Sequence, residues 1–229
     1  MADPEIVDDA LRRRNRSYWN DQARDNAMWH ISHSDSEESF HESGVKDAHN
    51  VFGSDMGELP YGGRVLEIGC GIGRVILPLA EAYPHTQFFG VDVSTEMVRI
   101  ANTRLRGHPN GLVFRTSGDL LDMFDDAYFD FVYSLMVFQH LPQPVFCSYA
   151  AEIVRILRPG GTLRFQVQYD ESKNGQDPYP ASDFRSIRYY DATALKRLFP
   201  SRLEIVAVHP ANPQVARVHD YYVTAKRTL

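Results

Sequence analysis

Short apolar runs alternate with helical stripes through the middle of the chain. The runs Arg64–Ile68, Gln87–Val91, Leu112–Arg115, Phe129–Ser134 and Thr162–Gln168 predict strands. Between the first two, Ile72, Val75, Ile76, Leu79, Ala80 and Tyr83 recur at helical spacing, with Pro78 expected to kink that helix. Met97, Ile100, Ala101 and Leu105 form a second stripe, behind Ser94 as N-cap and Glu96 in the first turn. Phe146, Tyr149, Ala150, Ile153, Val154 and Leu157 form a third, ended by Arg158-Pro159-Gly160-Gly161. Strand and helix in alternation predict a parallel sheet covered by helices on both faces.

The ends read differently. Residues 1–60 are helical but polar, with Asp8 and Asp9 four residues ahead of Arg12 and Arg13, the spacing of a solvated helix face. His30 to Asn50 is rich in His, Ser and Glu and has little core potential. Near the other end, Asp191 caps a predicted helix through Leu195, Leu198 and Phe199 that stops at Pro200. Two last strands, Leu203–Val208 and Asp220–Ala225, joined through Asn212-Pro213, are expected to pair antiparallel. Asp170–Tyr190 is a long polar connection, and such connections carry function more often than packing.

Composition narrows the class. Of 229 residues, 43% are hydrophobic and 12% aromatic, enough for a core and too much for a disordered chain. The net charge of −6 argues against gripping polyphosphate by bulk electrostatics. Two cysteines make no disulfide framework, which points to a reducing, cytoplasmic setting. The start, Met1-Ala2-Asp3-Pro4-Glu5, lacks the basic and apolar stretches of a signal peptide. The most apolar window, Phe129–Leu141, is too short to cross a bilayer, so no membrane partner is expected.

The chemistry concentrates in Val65-Leu66-Glu67-Ile68-Gly69-Cys70-Gly71-Ile72-Gly73-Arg74, where a strand runs through three alternating glycines into a helix. Glycines allow the tight turn and let a ligand approach the backbone, although such turns also occur without one. A dinucleotide fingerprint needs glycine at position 74, which is Arg74, and no Gly-Lys-Ser/Thr follows for a phosphate loop. Pyrophosphate disfavours a nearby carboxylate, whereas Glu67 suits a ligand with positive charge. These residues favour an adenosine ligand without pyrophosphate. Asp92, 23 residues after Gly69 at the tip of the next strand, can accept both ribose hydroxyls. Ser117-Gly118-Asp119-Leu120 follows the third strand; Asp119 could accept an adenine amine while Leu120 covers the ring, or be a plain turn aspartate.

Val65 to Arg74, Gly90-Val91-Asp92-Val93-Ser94-Thr95-Glu96-Met97, Gly118-Asp119, Phe129-Asp130-Phe131-Val132 and Leu157-Arg158-Pro159-Gly160-Gly161-Thr162-Leu163 occur in an order that resembles the class I S-adenosylmethionine-dependent methyltransferases. The resemblance covers about residues 60–168 well and the last strands loosely. It implies an α/β fold: a doubly wound, seven-stranded, mostly parallel sheet with the last strand antiparallel. It implies a domain over residues 59–229, and the weak core and aromatic content of residues 1–58 predict an N-terminal helical lid. It implies S-adenosyl-L-methionine as cofactor, with Glu67, Gly69 and Gly71 at the methionine end and loop, and Asp92 on the ribose. Val93 and Met97 would lie near the adenine, Gly118, Asp119 and Leu120 at its edge and face, and Ser134 and Leu135 beside the sulfonium. Arg74 is expected only to salt-bridge to an acidic neighbour.

Methyl transfer is an in-line displacement that needs alignment above all, and a base where the acceptor carries a proton. His140, beside Gln139, is the candidate base, with a structural role as its alternative. Tyr18, Trp19, Trp29 and His30 are candidate lid residues, with Trp29 toward the cofactor and the others, with Gln139 and Tyr169, toward the acceptor. Two tryptophans can equally anchor the helices to the domain. His30, His33, His41 and His49 lack the Cys or carboxylate that completes a metal site, so no metal is expected. Arg12-Arg13-Arg14-Asn15-Arg16 is basic, yet the acidic residues before it offset its field. Ser134-Leu135-Met136-Val137 replaces the Asn/Asp-Pro-Pro-aromatic motif of the amino-methylating nucleic-acid relatives, so nucleic acid is disfavoured. A small-molecule O or N acceptor is favoured. The alternatives are an RNA or protein methyltransferase using the basic arm, or a cofactor-binding protein without catalysis.

Overall fold

A computed structural model describes residues 7–53, 59–173, 178–180, 182–211 and 220–228. The chain forms two compact units, Arg16–Thr116 and a second made of Met1–Asn15 with Ser117–Leu229. The Asn212-Pro213 connection lies outside the described residues.

The first unit contains most of α1 (Asp9–Ser32), then α2 (Glu37–Phe52), β1 (Arg64–Ile68), α3 (Ile76–Ala82), β2 (Gln87–Asp92), α4 (Thr95–Arg104) and β3 (Gly111–Arg115). Its strands run parallel in the order β3-β2-β1, with Ile68 opposite Val91 and Asp92 opposite Arg115. After their first residues β1 and β2 are buried throughout, as strands covered on both faces must be. Ser36 caps α2 in a reciprocal box with Ser39, and the Ser94 hydroxyl caps α4 on Met97 N at 3.1 Å.

The helix after β1 departs from its expected form. It begins at Ile76, so Pro78 is its third residue, where the backbone N–H has no partner inside a helix anyway, and the expected kink has no cause. The helical partner of the Arg74 carbonyl would be the N–H of residue 78, which proline lacks. Gly44 of α2 lies over that carbonyl so closely that a Cβ there would sit 2.1 Å from the oxygen. A second departure is α1, which is broken at Asn26 (φ −160°, ψ 92°), where Asn26 Oδ1 accepts Trp29 N at 3.1 Å and restarts the helix.

The second unit holds β4 (Phe129–Ser134), α5 (Gln143–Ile156), β5 (Leu157–Tyr169), β6 (Tyr189–Tyr190), α6 (Ala192–Leu198), β7 (Leu203–Pro210) and β8 (Asp220–Arg227). Its order is β4-β5-β8-β7, with the two-residue β6 also beside β5. β4, β5 and β6 pair parallel, and β8 is antiparallel to both β5 and β7. The expected antiparallel closure is present, and β6 is one strand more than the seven expected. β5 begins five residues earlier than predicted because Leu157 is already extended and Pro159 cannot continue a helix. Phe138, Phe146, Phe165 and Phe199 pack at ring separations of 4.8–5.9 Å, and Tyr190 joins them through Phe146. Asp191 caps α6 on Ala194 N at 2.7 Å, as its sequence predicts. No helix among the described residues is long and apolar enough to cross a membrane.

Candidate functional site

The glycine loop needs glycines for two different reasons. Gly69, Gly71 and Gly73 all have positive φ (73°, 52° and 79°), a region open to glycine without strain. Gly71 is also a point of close approach, since a Cβ there would sit 2.6 Å from the Ile31 side chain of α1. Gly69 and Cys70 donate to the Val91 carbonyl at 2.7 and 3.1 Å, stitching the end of β1 to the end of β2.

Asp92 completes that stitching. Its Oδ2 accepts Gly71 N at 2.9 Å and its Oδ1 accepts Ser94 N at 2.8 Å, so one carboxylate fixes both the loop and the entry to α4. Asp92 is 9% exposed. Burial pushes its carboxyl up to about 6, against the backbone hydrogen bonds from Ser94, Gly71 and Val93 that favour the charged form. Its partners are neutral donors, so an incoming diol would supply further donors to an under-compensated charge. Glu67 is buried nearby, and both carboxylates add to the burial that drives the Cys70 thiol well above its usual range.

α1 and α2 press on this unit from the N-terminal side. Ala23, Ala27, Phe40, Ile72 and Met97 form one buried cluster, with Met28, Ile31 and Ile100 packed against it. Met97, expected near an adenine, lies in this cluster, and Val93 is buried as well. Asn20 Oδ1 accepts Ser94 Oγ at 2.8 Å and Glu96 N at 3.1 Å, docking α1 on the N-terminus of α4. Arg74 pairs with Asp47 of α2 at 2.8 Å, the salt bridge its sequence context suggested. Among the candidate lid residues, Tyr18 and Trp19 meet edge to face, and His30 pairs with Asp25 at 2.7 Å. Trp29 is 43% exposed, edge-on to His33.

In the second unit, Gly118 turns at φ +106° and Asp119 is 1% exposed, while Leu120 stays partly open. Both oxygens of Asp119 are engaged by its own chain. Arg12 Nε and Nη2 reach Oδ1 and Oδ2, both at 2.8 Å, and Ser117 Oγ donates to Oδ1 at 2.9 Å. Ser134 and Leu135 close β4 as buried residues, and Met136 follows with the left-handed φ of 57°, rare outside glycine. A short 3-10 turn, Phe138–His140, comes next.

Arg188, 2% exposed, organises this turn: its backbone N–H donates to the Gln139 carbonyl at 2.7 Å, and its Nη1 donates to the carbonyls of His140 and Asp183 at 3.0 Å. The Gln139 amide lies 3.3 Å from His140 Nε2 and accepts Gln168 Nε2 at 3.4 Å. Burial lowers the His140 pKa, keeping the ring neutral at physiological pH. Tyr169 donates its hydroxyl to Glu171, and burial with that carboxylate pushes it up to about 12.

Residues 65–161 match the family model described as a methyltransferase domain. Over those residues the chain is similar to a methyltransferase domain, and its fold is Rossmann-like. It is 29% identical over 164 residues to ajmaline N-methyltransferase of Rauvolfia serpentina, covering 69% of this chain and 54% of that protein. It is 33% identical over 104 residues to the O-methyltransferase cnsE of Penicillium expansum, covering 44% of this chain and 37% of that one. The chain thus spans about half or less of the length of these relatives. The geranyl diphosphate C-methyltransferase of Streptomyces coelicolor, solved with Mg2+, a thiolodiphosphate analogue and S-adenosyl-L-homocysteine, shares its fold. That match has a TM-score of 0.68 at 14% identity and covers 99% of this chain and 100% of the other.

Within residues 65–161 the glycine loop, Glu67 and Asp92 lie together at the ends of β1 and β2. Two residues outside the domain match escaped sequence reasoning. Asn20 is an ordinary polar residue on a polar helix and carries no signal. Arg12 belongs to a visible basic run, but its partner is 107 residues away.

Proposed function

We propose that the chain transfers a methyl group from S-adenosyl-L-methionine to a small-molecule oxygen or nitrogen acceptor. The observation that carries this reading is Asp92, a buried carboxylate at the tip of β2 that pins the glycine loop through Gly71 N. In this reading Asp92 accepts the ribose hydroxyls, Glu67 faces the cationic methionine end, and Gly69 and Gly71 form the loop at that end. Asp119 and Leu120 take the adenine, and Ser134 and Leu135 flank the sulfonium. Residues 1–58 act as a helical lid carrying Tyr18, Trp19, Trp29 and His30, and residues 59–229 as the transferase domain. The unpaired thiols Cys70 and Cys147 suit a reducing cytoplasm.

In the reaction the bond from sulfur to the methyl carbon breaks as the acceptor's lone pair attacks in line, and the sulfonium becomes a neutral thioether. Alignment alone supplies about 7–11 kcal/mol in favourable cases. Where the acceptor carries a proton, His140, kept neutral by burial, takes it, with Gln139 and Arg188 holding the turn in place.

The test is incubation with methyl-labelled donor and a cell extract, followed by separation of products by size. Label in the low-molecular-weight fraction supports the proposal. Label confined to RNA or protein, or no transfer at all, overturns it.

A further inference from the structure

The carboxylate assigned to the adenine amine is already occupied. An Asp side chain offers about four lone-pair positions. On Asp119, Arg12 Nε and Ser117 Oγ share Oδ1, and Arg12 Nη2 takes Oδ2. The two guanidinium contacts, both 2.8 Å, form the parallel fork that is the strongest arrangement available to a carboxylate. The group is 1% exposed, so an outside molecule does not reach it in this conformation. Arg12 is itself anchored: Asp8 Oδ1 caps Leu11 N at 2.7 Å, and Arg12 Nη1 reaches Asp9 Oδ1 at 3.1 Å in the first turn of α1. Arg12 is about a quarter exposed and Asp9 mostly so, which leaves the outer side of the fork open to solvent.

We propose that Arg12 sets cofactor affinity at the adenine edge: its guanidinium stands in for the exocyclic amine on Asp119 in the free chain and must leave when adenosine binds. The inference rests on the assignment of Asp119 to the adenine under Proposed function. A neutral amine makes a weaker hydrogen bond to a carboxylate than a bidentate guanidinium does, so the exchange costs affinity in the wild-type chain. Removing Arg12 removes the competitor and leaves a buried carboxylate for which the amine is the available donor. Because Arg12 lies in the first turn of α1, the exchange also frees the start of that helix.

The experiment is titration calorimetry of the full chain with S-adenosyl-L-homocysteine and with its deaminated analogue, whose purine carries hydrogen in place of the amine. Arg12→Gln is expected to bind S-adenosyl-L-homocysteine at least fivefold more tightly than wild type. Arg12→Lys, which keeps the charge and loses the fork, should fall between them and serves if Arg12→Gln folds poorly. Arg13→Gln removes the same charge from the exposed side of the helix and should leave affinity unchanged. The gain should vanish with the deaminated analogue, which cannot donate to Asp119; a merely loosened helix would improve binding of both ligands. Unchanged or weaker binding by both Arg12 variants, or an equal gain for both ligands, overturns the inference while leaving cofactor binding standing. Absence of binding by every form, wild type included, overturns the cofactor assignment and this inference with it.

Discussion

Asp92 and Asp119 are both buried carboxylates at the start of a turn after a strand, yet their surroundings are opposite. Asp92 is held by neutral backbone donors, Gly71 N and Ser94 N, and burial raises its carboxyl to about 6. Asp119 is held by a guanidinium fork and a serine hydroxyl. The first charge is under-compensated and gains from any further donor. The second is neutralised by its own chain and must give up a partner to accept one. Under the proposed function, Asp92 can accept a donor as it stands, whereas Asp119 does so only after losing Arg12.

The largest effect that tests this contrast is at Asp92. Asp92→Ala removes the proposed ribose contacts and the anchor of the glycine loop together. Affinity for S-adenosyl-L-homocysteine should fall by about a hundredfold, the scale of two charge-assisted hydrogen bonds. Calorimetry reads this directly, and an unchanged affinity breaks the comparison.

The next effect is on pH. The folded carboxyl of Asp92 sits near 6 and the unfolded one near the ordinary 3.8, so the folded chain takes up a proton between these values. Stability of the ligand-free chain should therefore decline as pH rises from about 4 to about 6, and Asp92→Asn should remove that slope. Ligand affinity should run the other way, weakening about tenfold per pH unit below 6, because the ribose hydroxyls donate to the ionised form. Chemical denaturation and calorimetry across that range check the two slopes.

Smaller effects sharpen the picture of how the N-terminal helices meet the first unit. Gly44→Ala puts a methyl into the Arg74 carbonyl and should cost about 1–3 kcal/mol of stability, read as a lowered denaturation midpoint. Asn20→Ala should cost about 1 kcal/mol, since Ser94 still caps α4 when the second acceptor is lost.

The elements were legible where packing follows periodicity. β1 and β4 match their predicted bounds because a strand buried on both faces is an uninterrupted apolar run. The helix after β1 starts later than its apolar spacing predicts because Ile72 and Val75 are buried loop residues, Ile72 against α1 and α2, and spacing alone cannot tell a buried loop residue from a helical face. The two-residue β6 is too short to carry a period. At the candidate site the glycines and Asp92 were readable from spacing, but the hydrogen bond from Gly71 to Asp92 was not, since it depends on the register of β1 against β2. Arg12 read as part of a charged face because pairing across 107 residues leaves no local trace. Met97, a candidate for the adenine side, also packs in the cluster under α1 and α2.

A crystal structure of the chain with S-adenosyl-L-homocysteine tests the central claim most directly. Both ribose hydroxyls should lie about 2.6–3.0 Å from the Asp92 carboxylate. A nucleoside bound elsewhere, or a glycine loop left empty at saturating ligand, would contradict it.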